Sequence, residues 1–372
     1  MNCFCISIVI VTWNKIDYLQ DCVESLFNST YKNFEIIIVD NGSDDGSVEY
    51  IMELQKKYPN IKAIFNKENL GFSTPSNQGA RIATGDLIFL LNNDTVVDYF
   101  CLESVVMFVK ENPNVAVIQP RIMQTETIMD EQGNVLMNNG YLLHFGFGEK
   151  ISPLFYQTYP VFSVKGAAFF VTRKAYEQVG LFRDEYFAFY EETDFCHRCW
   201  LAGLPVFYFG GATVQHIGHG TAGEIKKKEP VLIWYQAYRN RLISLFTLLS
   251  RKRLFTVLLP HIFMTICSSP VFILLGKKSI FIGIVKSNLY LIANFRSLIK
   301  QRKYFKSTLN GFTEDEIFKR FKLFISPPRG YMLSLATNKH HEFWRKSVNV
   351  ELRNKYIEGL KQKTPTILSY YE

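Results

Sequence analysis

Two seven-residue runs, Ile6–Thr12 and Phe34–Asp40, are almost continuously apolar and rich in β-branched side chains. A strand with one face in water alternates apolar with polar residues. Runs like these instead suit strands buried on both faces, in a sheet with helices above and below. Between them Leu19, Cys22, Val23, Leu26 and Phe27 recur at helical spacing, which completes a βαβ unit. The pattern repeats downstream. Asn41-Gly-Ser-Asp-Asp-Gly-Ser47 is rich in turn residues and leads into a helix expected to carry Val48, Ile51 and Met52 on one side. Ile61–Phe65 offers a third strand and Leu87–Leu91 a fourth, which ends at Asn92-Asn93-Asp94. The expected fold class is α/β with a mainly parallel sheet, and ligands are expected in the crevice beyond the strand ends.

From Gln119 to Ser163 the periodicity fades among glycines and aromatics, which predicts loops and irregular hairpins able to shape an acceptor pocket. Regularity returns over Gly166–Thr172, in a helix from about Glu191 to Ala202 and in an apolar segment from Pro205 to Val214. After Pro230 the character changes. Trp234–Ser250 reads as a helix, and Leu254–Gly276 then runs for 23 residues without a charge. That is long enough to cross a bilayer, although Pro260 and Pro270 interrupt it. Arg251-Lys-Arg253 and Lys277-Lys278 flank its two ends alike, so loop charge sets no direction of crossing. A helix pair lying on the membrane keeps both flanks on the cytoplasmic side. The chain is therefore expected to divide into a catalytic region, 1–230, and a helical membrane-associating region, 231–372.

A hydrophobic fraction of 48% excludes a disordered chain. The net charge of +8 gathers in the second half, at Lys226-Lys-Lys228, Arg239, Arg241 and Arg251-Lys-Arg253, and points to an anionic surface. The apolar runs after Arg253 make that surface a membrane rather than a nucleic acid. Seven scattered cysteines and a start at Met1–Cys5 without a basic segment fit a reducing compartment. Cys196 and Cys199 have C-x-x-C spacing, but no second pair lies at zinc-finger distance, and both are read as helix residues.

Asp40 closes the second strand at the crevice, where its carboxylate could accept the ring N–H of uracil or thymine. A turn residue that caps the next helix is the other reading. Asn92-Asn93-Asp94 likewise admits either an Asx turn or a carboxylate for Mg²⁺ or Mn²⁺, ions that take oxygen ligands and bridge phosphates. Glu191, Glu192 and Asp194 put three carboxylates into four residues. Acidic residues suit a first helical turn, but crowding with partial burial also raises a pKa, as a general base requires. His216 follows an apolar segment among glycines, where an imidazole can serve a metal or the fold. The turn after the first strand, Thr12-Trp-Asn-Lys-Ile-Asp17, lacks the glycine fingerprint of dinucleotide enzymes, and no P-loop motif occurs.

Taken in order, these segments resemble the family 2 glycosyltransferases of GT-A fold, in particular their rhamnosyltransferase-like branch. The likeness runs from about residue 6 to 245. It is carried by Ser7-Ile-Val-Ile-Val-Thr-Trp-Asn14, Val39-Asp-Asn-Gly-Ser-Asp-Asp-Gly-Ser47, Asn69-Leu-Gly-Phe72, Asn77-Gln-Gly79, Gly85-Asp86 and Leu90-Leu-Asn-Asn-Asp-Thr95. Later come Gly166-Ala-Ala168, Gly180-Leu-Phe-Arg-Asp-Glu-Tyr-Phe187, Tyr190-Glu-Glu-Thr-Asp-Phe-Cys-His-Arg198, Val214-Gln-His216 and Tyr238-Arg-Asn-Arg241. The resemblance implies a nucleotide-sugar donor held by Thr12, Asn14, Asp40, Asn69 and Asn93, and a divalent metal held by Asp94 and His216. It implies an acceptor side at Gly166 and Glu191. Glu191-Glu192 stands where the family has Glu-Asp, which makes Glu192 the base and Asp194 the alternative. An inverting transfer to a lipid-linked saccharide at the cytoplasmic face of the membrane, in cell-surface polysaccharide synthesis, is the expected function. A non-catalytic nucleotide-sugar-binding scaffold is the competing one.

Overall fold

The computed structural model describes residues 4–218 and 229–320; Lys226-Lys-Lys228 and the chain beyond 320 lie outside the described residues. β1 (Ile6–Thr12), β2 (Phe34–Asp40) and β3 (Ile61–Phe65) occupy the expected positions, and every residue of β2 is buried. β1 pairs in parallel with β2 on one side and with β4 (Leu87–Asn92) on the other. Thr12 is in register with Asp40 and Val11 with Asn92, so Thr12, Asp40 and Asn93 emerge at one end of the sheet.

The sheet continues beyond β4 with a change of direction. β5 (Thr95–Val97), β6 (Val117–Met123), β7 (Met129–Glu131), β10 (Thr158–Pro160), β11 (Ala168–Thr172) and β12 (Val206–His216) join it, while β8 (Asn134–Leu136) and β9 (Leu142–His144) form a separate hairpin. The order is β10-β12-β6-β11-β4-β1-β2-β3, with β5 on β12 and β7 on β6. β11 runs antiparallel to both β4 and β6, whereas β12 and β6 are parallel, giving a mixed, mostly parallel sheet. Gln119–Met123, expected to be irregular, therefore belongs to an interior strand. Its polar Gln119 is fully buried because its side chain bonds the Glu131 carbonyl and the Lys165 N–H.

Helices α1 (Ile16–Asn28), α2 (Ser47–Lys57), α3 (Ser73–Ile82), α4 (Cys101–Glu111), α5 (Arg173–Val179) and α6 (Glu191–Leu201) cover the two faces. Ile6, Ile8 and Ile10 meet Leu19, Leu26 and Leu102 on one face, while Val9, Ile37 and Val39 enter a second core on the other. The buried side of α2 is Ser47, Ile51 and Leu54; Met52 points to solvent, because residues 47, 51 and 54 follow the helical repeat and 52 does not. The second core also takes residues of α7 (Pro230–Leu248), α8 (Arg251–Leu274), α9 (Lys278–Ala293), α10 (Phe295–Thr308) and α11 (Glu314–Arg320). Leu242, Phe272, Ile284, Leu298 and Ile317 thus pack in the same cluster as Phe195 and Trp200 of α6. The described residues on either side of position 230 thus share one hydrophobic core.

Candidate active site

At the sheet end, the Thr12 hydroxyl accepts from the Asn93 side chain at 3.0 Å, which ties the end of β4 to the end of β1. Asp40 is buried, and one carboxylate oxygen accepts the N–H groups of Gly42 and Ser43 at 3.1 Å each. The other oxygen, Oδ1, is buried without a partner. A buried acceptor left open carries a desolvation cost that an incoming N–H removes, and the imide N–H of a uracil or thymine ring is such a donor.

Asn14 adopts a left-handed backbone with φ 57°; its side-chain oxygen accepts from Asp44 N at 2.9 Å and its own N–H donates to Ser43 at 2.8 Å. The oxygen of Asn69 accepts from Asn41 at 3.0 Å and from Gly71 N at 2.9 Å. Both asparagine oxygens help to shape the loops at the strand ends. Gly71 has φ 84°, and a Cβ there would overlap the Phe187 carbonyl, which accepts from Phe72 N at 2.6 Å. Only glycine lets the loop dock this closely on the segment that leads into α6.

Asp94 follows β4, and His216 ends β12, where it pairs with Thr95 of β5. His216 Nε2 lies 3.5 Å from Asp94 Oδ1, so sequence positions 122 residues apart meet in the crevice. Its Nδ1 lies 2.7 Å from Asp130 Oδ2, which also accepts Lys165 Nζ at 2.6 Å. Burial disfavours the imidazolium, but the Asp130 and Asp94 carboxylates outweigh it and raise the His216 pKa to about 9. The spot therefore attracts positive charge. A carboxylate oxygen and an imidazole nitrogen that converge, with the far ring nitrogen held, are donors of the kind that a divalent cation such as Mg²⁺ or Mn²⁺ takes.

The acidic cluster divides into two parts. Glu191 opens α6, directly after Phe189 and Tyr190, two non-glycine residues at φ 71° and 74°. Such conformations cost energy and persist only where neighbours hold them. Asn240 on α7 supplies the hold, donating to the carbonyls of Ala188 at 3.0 Å and Phe189 at 2.7 Å. Glu191 is buried with Oε2 unpartnered, while half-buried Glu192 turns its Oε2 to within 3.7 Å of the position a Cβ would take on Gly166. Burial raises the pKa of both carboxyls, and the charge of Glu191 raises that of Glu192 further.

Asp194, the alternative base, is fully buried, with one oxygen on Arg183 Nε at 3.0 Å and the other on Arg198 Nε at 2.9 Å. Burial alone would raise its pKa, but the two guanidinium groups reverse the shift and hold it down. A carboxylate engaged on both oxygens inside the core ties α6 to Arg183 and Arg198. Cys196 and Cys199 are buried helix residues, and burial raises both thiols, Cys199 to about 12. A chain of contacts joins the two halves of the site: Asp94 to His216, His216 to Asp130, Asp130 to Lys165, and Lys165 to its neighbour Gly166 beside Glu192. Asp130 and Lys165 carry no sequence signal. Asn240 stands within the Tyr238-Arg-Asn-Arg241 motif, which was the one available sign of its role.

A parallel half with Thr12, Asp40, Asn93 and Asp94 at its strand ends, completed by antiparallel β11 and by a β12 that returns His216 to Asp94, defines the GT-A fold of nucleotide-diphospho-sugar transferases. In sequence, residues 7–180 match the family described as Glycosyl transferase family 2. An uncharacterized glycosyltransferase of Haemophilus influenzae is 30% identical over 114 residues, which are 31% of this chain and 35% of that protein. The poly(ribitol-phosphate) beta-glucosyltransferase of Bacillus spizizenii is 36% identical over 110 residues, 29% of this chain and 17% of that protein. The chain thus spans well under two thirds of either relative. The crystal structure of S. aureus TarS 1-349 in complex with UDP aligns with a TM-score of 0.46 and 14% identity, covering 66% of this chain and 67% of that one.

Proposed function

We propose that the protein is an inverting glycosyltransferase that moves a sugar from a nucleoside-diphosphate donor to a lipid-linked saccharide at the cytoplasmic face of the membrane, in cell-surface polysaccharide synthesis. The observations that support the reading are an open Asp40 oxygen and the Asp94–His216 pair at the strand ends, linked through Asp130 and Lys165 to Gly166 beside the raised Glu191–Glu192 pair. Asp40 receives the base of the nucleotide. Glu192 takes the proton of the acceptor hydroxyl as its oxygen attacks the anomeric carbon from the side opposite the diphosphate, so the configuration inverts in one displacement. Asp94 and His216 would hold a divalent cation, which supplies neutralisation of the charge that gathers on the departing diphosphate. The rhamnosyltransferase-like order of motifs and the thymine-compatible Asp40 support dTDP-rhamnose as donor. Hydrolysis of a nucleotide-sugar panel by the purified protein with Mn²⁺ tests this. Turnover is expected with dTDP-rhamnose, and Asp94→Asn is expected to lose it while melting as the wild type does. Wild-type turnover by Asp94→Asn at saturating Mn²⁺ would remove Asp94 from the metal; tight dTDP binding with no hydrolysis of any donor would favour the scaffold reading.

The membrane part of the reading is supported by α8 and α9. Helix α8 is long and apolar enough to cross a membrane, with a mean hydropathy of 1.9 over its best window. Val257, Leu258 and Phe272 pack into the core, and much of the remaining apolar surface of the helix is turned outward. His261, Thr265, Ser268 and Ser269 face the protein, while Phe255, Leu259, Phe263 and Leu274 face out, Phe263 at 71% and Leu274 at 86% exposure. Leu289 and Ile292 of α9 extend the apolar surface, and exposed Arg251, Lys252, Lys278 and Arg296 lie on its flanks. Apolar area with basic margins suits a helix pair seated in an anionic leaflet. Replacing Phe263, Leu274 and Ile292 together by serine is expected to lower binding to vesicles containing phosphatidylglycerol by at least about tenfold, since each fully buried apolar side chain contributes roughly 1.5–3 kcal/mol. Unchanged co-sedimentation would place the attachment elsewhere.

A further inference from the structure

Asp130 lies on β7, 86 positions before His216, and its side chain is buried. Its Oδ2 accepts His216 Nδ1 at 2.7 Å and Lys165 Nζ at 2.6 Å, while Gln124 approaches its Oδ1 at 3.4 Å. The opposite nitrogen of the same imidazole, Nε2, is the one that faces Asp94. We propose that Asp130 is a positioning residue for His216: it fixes the rotation of the ring by accepting the Nδ1 proton, so that Nε2 faces Asp94 and an arriving cation takes the place of the Nε2 proton there.

A neutral imidazole has one N–H, on either nitrogen. Without an acceptor at Nδ1 the ring can turn or carry its proton on Nε2, and in both cases the ligand is lost from the cation. A buried carboxylate behind a ligating histidine prevents this. Lys165 lets that carboxylate stay ionised in the core, because its ammonium offsets the buried charge on the same oxygen. Lys165 also precedes Gly166, so the support for the ligand and the surface facing Glu192 are built on one stretch of chain. The inference rests on the assignment of Asp94 and His216 to a divalent cation and goes one shell beyond it.

The test is Mn²⁺ titration of the full-length protein with dTDP present, read by loss of the free-ion electron paramagnetic resonance signal. Asp130→Ala is expected to weaken Mn²⁺ binding by about 10–100-fold, and Asp130→Asn, which keeps one acceptor oxygen, to fall between it and the wild type. The loss in Asp130→Ala/His216→Ala should not exceed that in His216→Ala, because the carboxylate acts only through the ring. Transfer by Asp130→Ala should recover as Mn²⁺ is raised, a response that a merely structural role would not give. Should Asp130→Ala fail to fold, the Asn variant, checked by its melting temperature, carries the comparison. If His216→Ala weakens Mn²⁺ but the Asp130 variants do not, or if the losses add in the double variant, the positioning role is overturned. If His216→Ala and Asp94→Asn both bind Mn²⁺ as the wild type does, it is the metal assignment itself that falls.

Discussion

Glu192→Gln is expected to lower kcat by about 10²–10⁴-fold with donor affinity nearly unchanged. The amide keeps the shape of the side chain beside Gly166 but cannot take the acceptor proton, so the loss falls on the chemical step. The pH profile separates the two neighbouring carboxyls. Because burial raises both carboxyls and the charge of Glu191 raises Glu192 further, kcat should climb along a limb above the ordinary carboxylate range, with apparent pKa values that belong to the pair. Glu191→Gln removes the like charge and should move that limb toward acid while leaving substantial turnover. Stability follows the opposite sign from that of a salt-bridged carboxylate. The folded pair retains protons at pH values where unfolded glutamates, near about 4.3, have lost theirs, so stability falls as pH rises from there through the raised range. Either Gln variant should flatten that decline. An inactive Glu191→Gln beside an active Glu192→Gln would reverse the roles within the pair.

Asp194→Asn should act on the fold and not on the chemistry. Removing one partner of a buried ion network typically costs about 3–5 kcal/mol, because the charge left behind has no compensation. Two guanidinium groups would be left behind here. Arg183 also donates to Gln301 at 2.6 Å and to Thr247 at 2.7 Å, and Arg198 donates to the carbonyls of Val179 and Leu181 at 2.6 and 2.8 Å. Asp194 therefore sits where α6 is joined to α7 and α10, and its loss should loosen all three. Its pKa is depressed, so its contribution is present above the unfolded value, about 3.9, and is lost as pH falls through the folded one. The variant should show a lower melting temperature at neutral pH and a weaker decline in acid, with turnover per folded molecule kept. A variant that melts as the wild type does, binds donor and shows no turnover would make Asp194 the base.

The turn before Glu191 depends on the C-terminal helices in the same way. Asn240 of α7 holds Ala188 and Phe189, Arg239 donates to the Glu185 carbonyl, and Tyr290 of α9 reaches the Glu185 carboxylate at 3.2 Å. A helix pair seated on a membrane would thus bear directly on the strained residues that precede Glu191 and Glu192. This is the consequence of a core that runs without interruption from α6 to α11.

The sequence by itself determined β1, β2 and β3 residue for residue, the start of α6 at Glu191, and the strand-end positions of Thr12, Asp40 and Asp94. These are local properties: a run of β-branched residues or a helical repeat is complete within a dozen positions, and the strand ends follow from where each run stops. Tertiary structure alone decided that Gln119–Met123 is an interior strand, since a glutamine and a proline break the apolar run and only distant partners show that the glutamine is satisfied. It alone decided that Asp194 is spent on Arg183 and Arg198, that α8 turns its polar side inward, and that Asp130 stands behind His216. A buried polar side chain is specified by the partner that satisfies it, and when that partner lies 86 residues away, as His216 does from Asp130, no local pattern records the pairing.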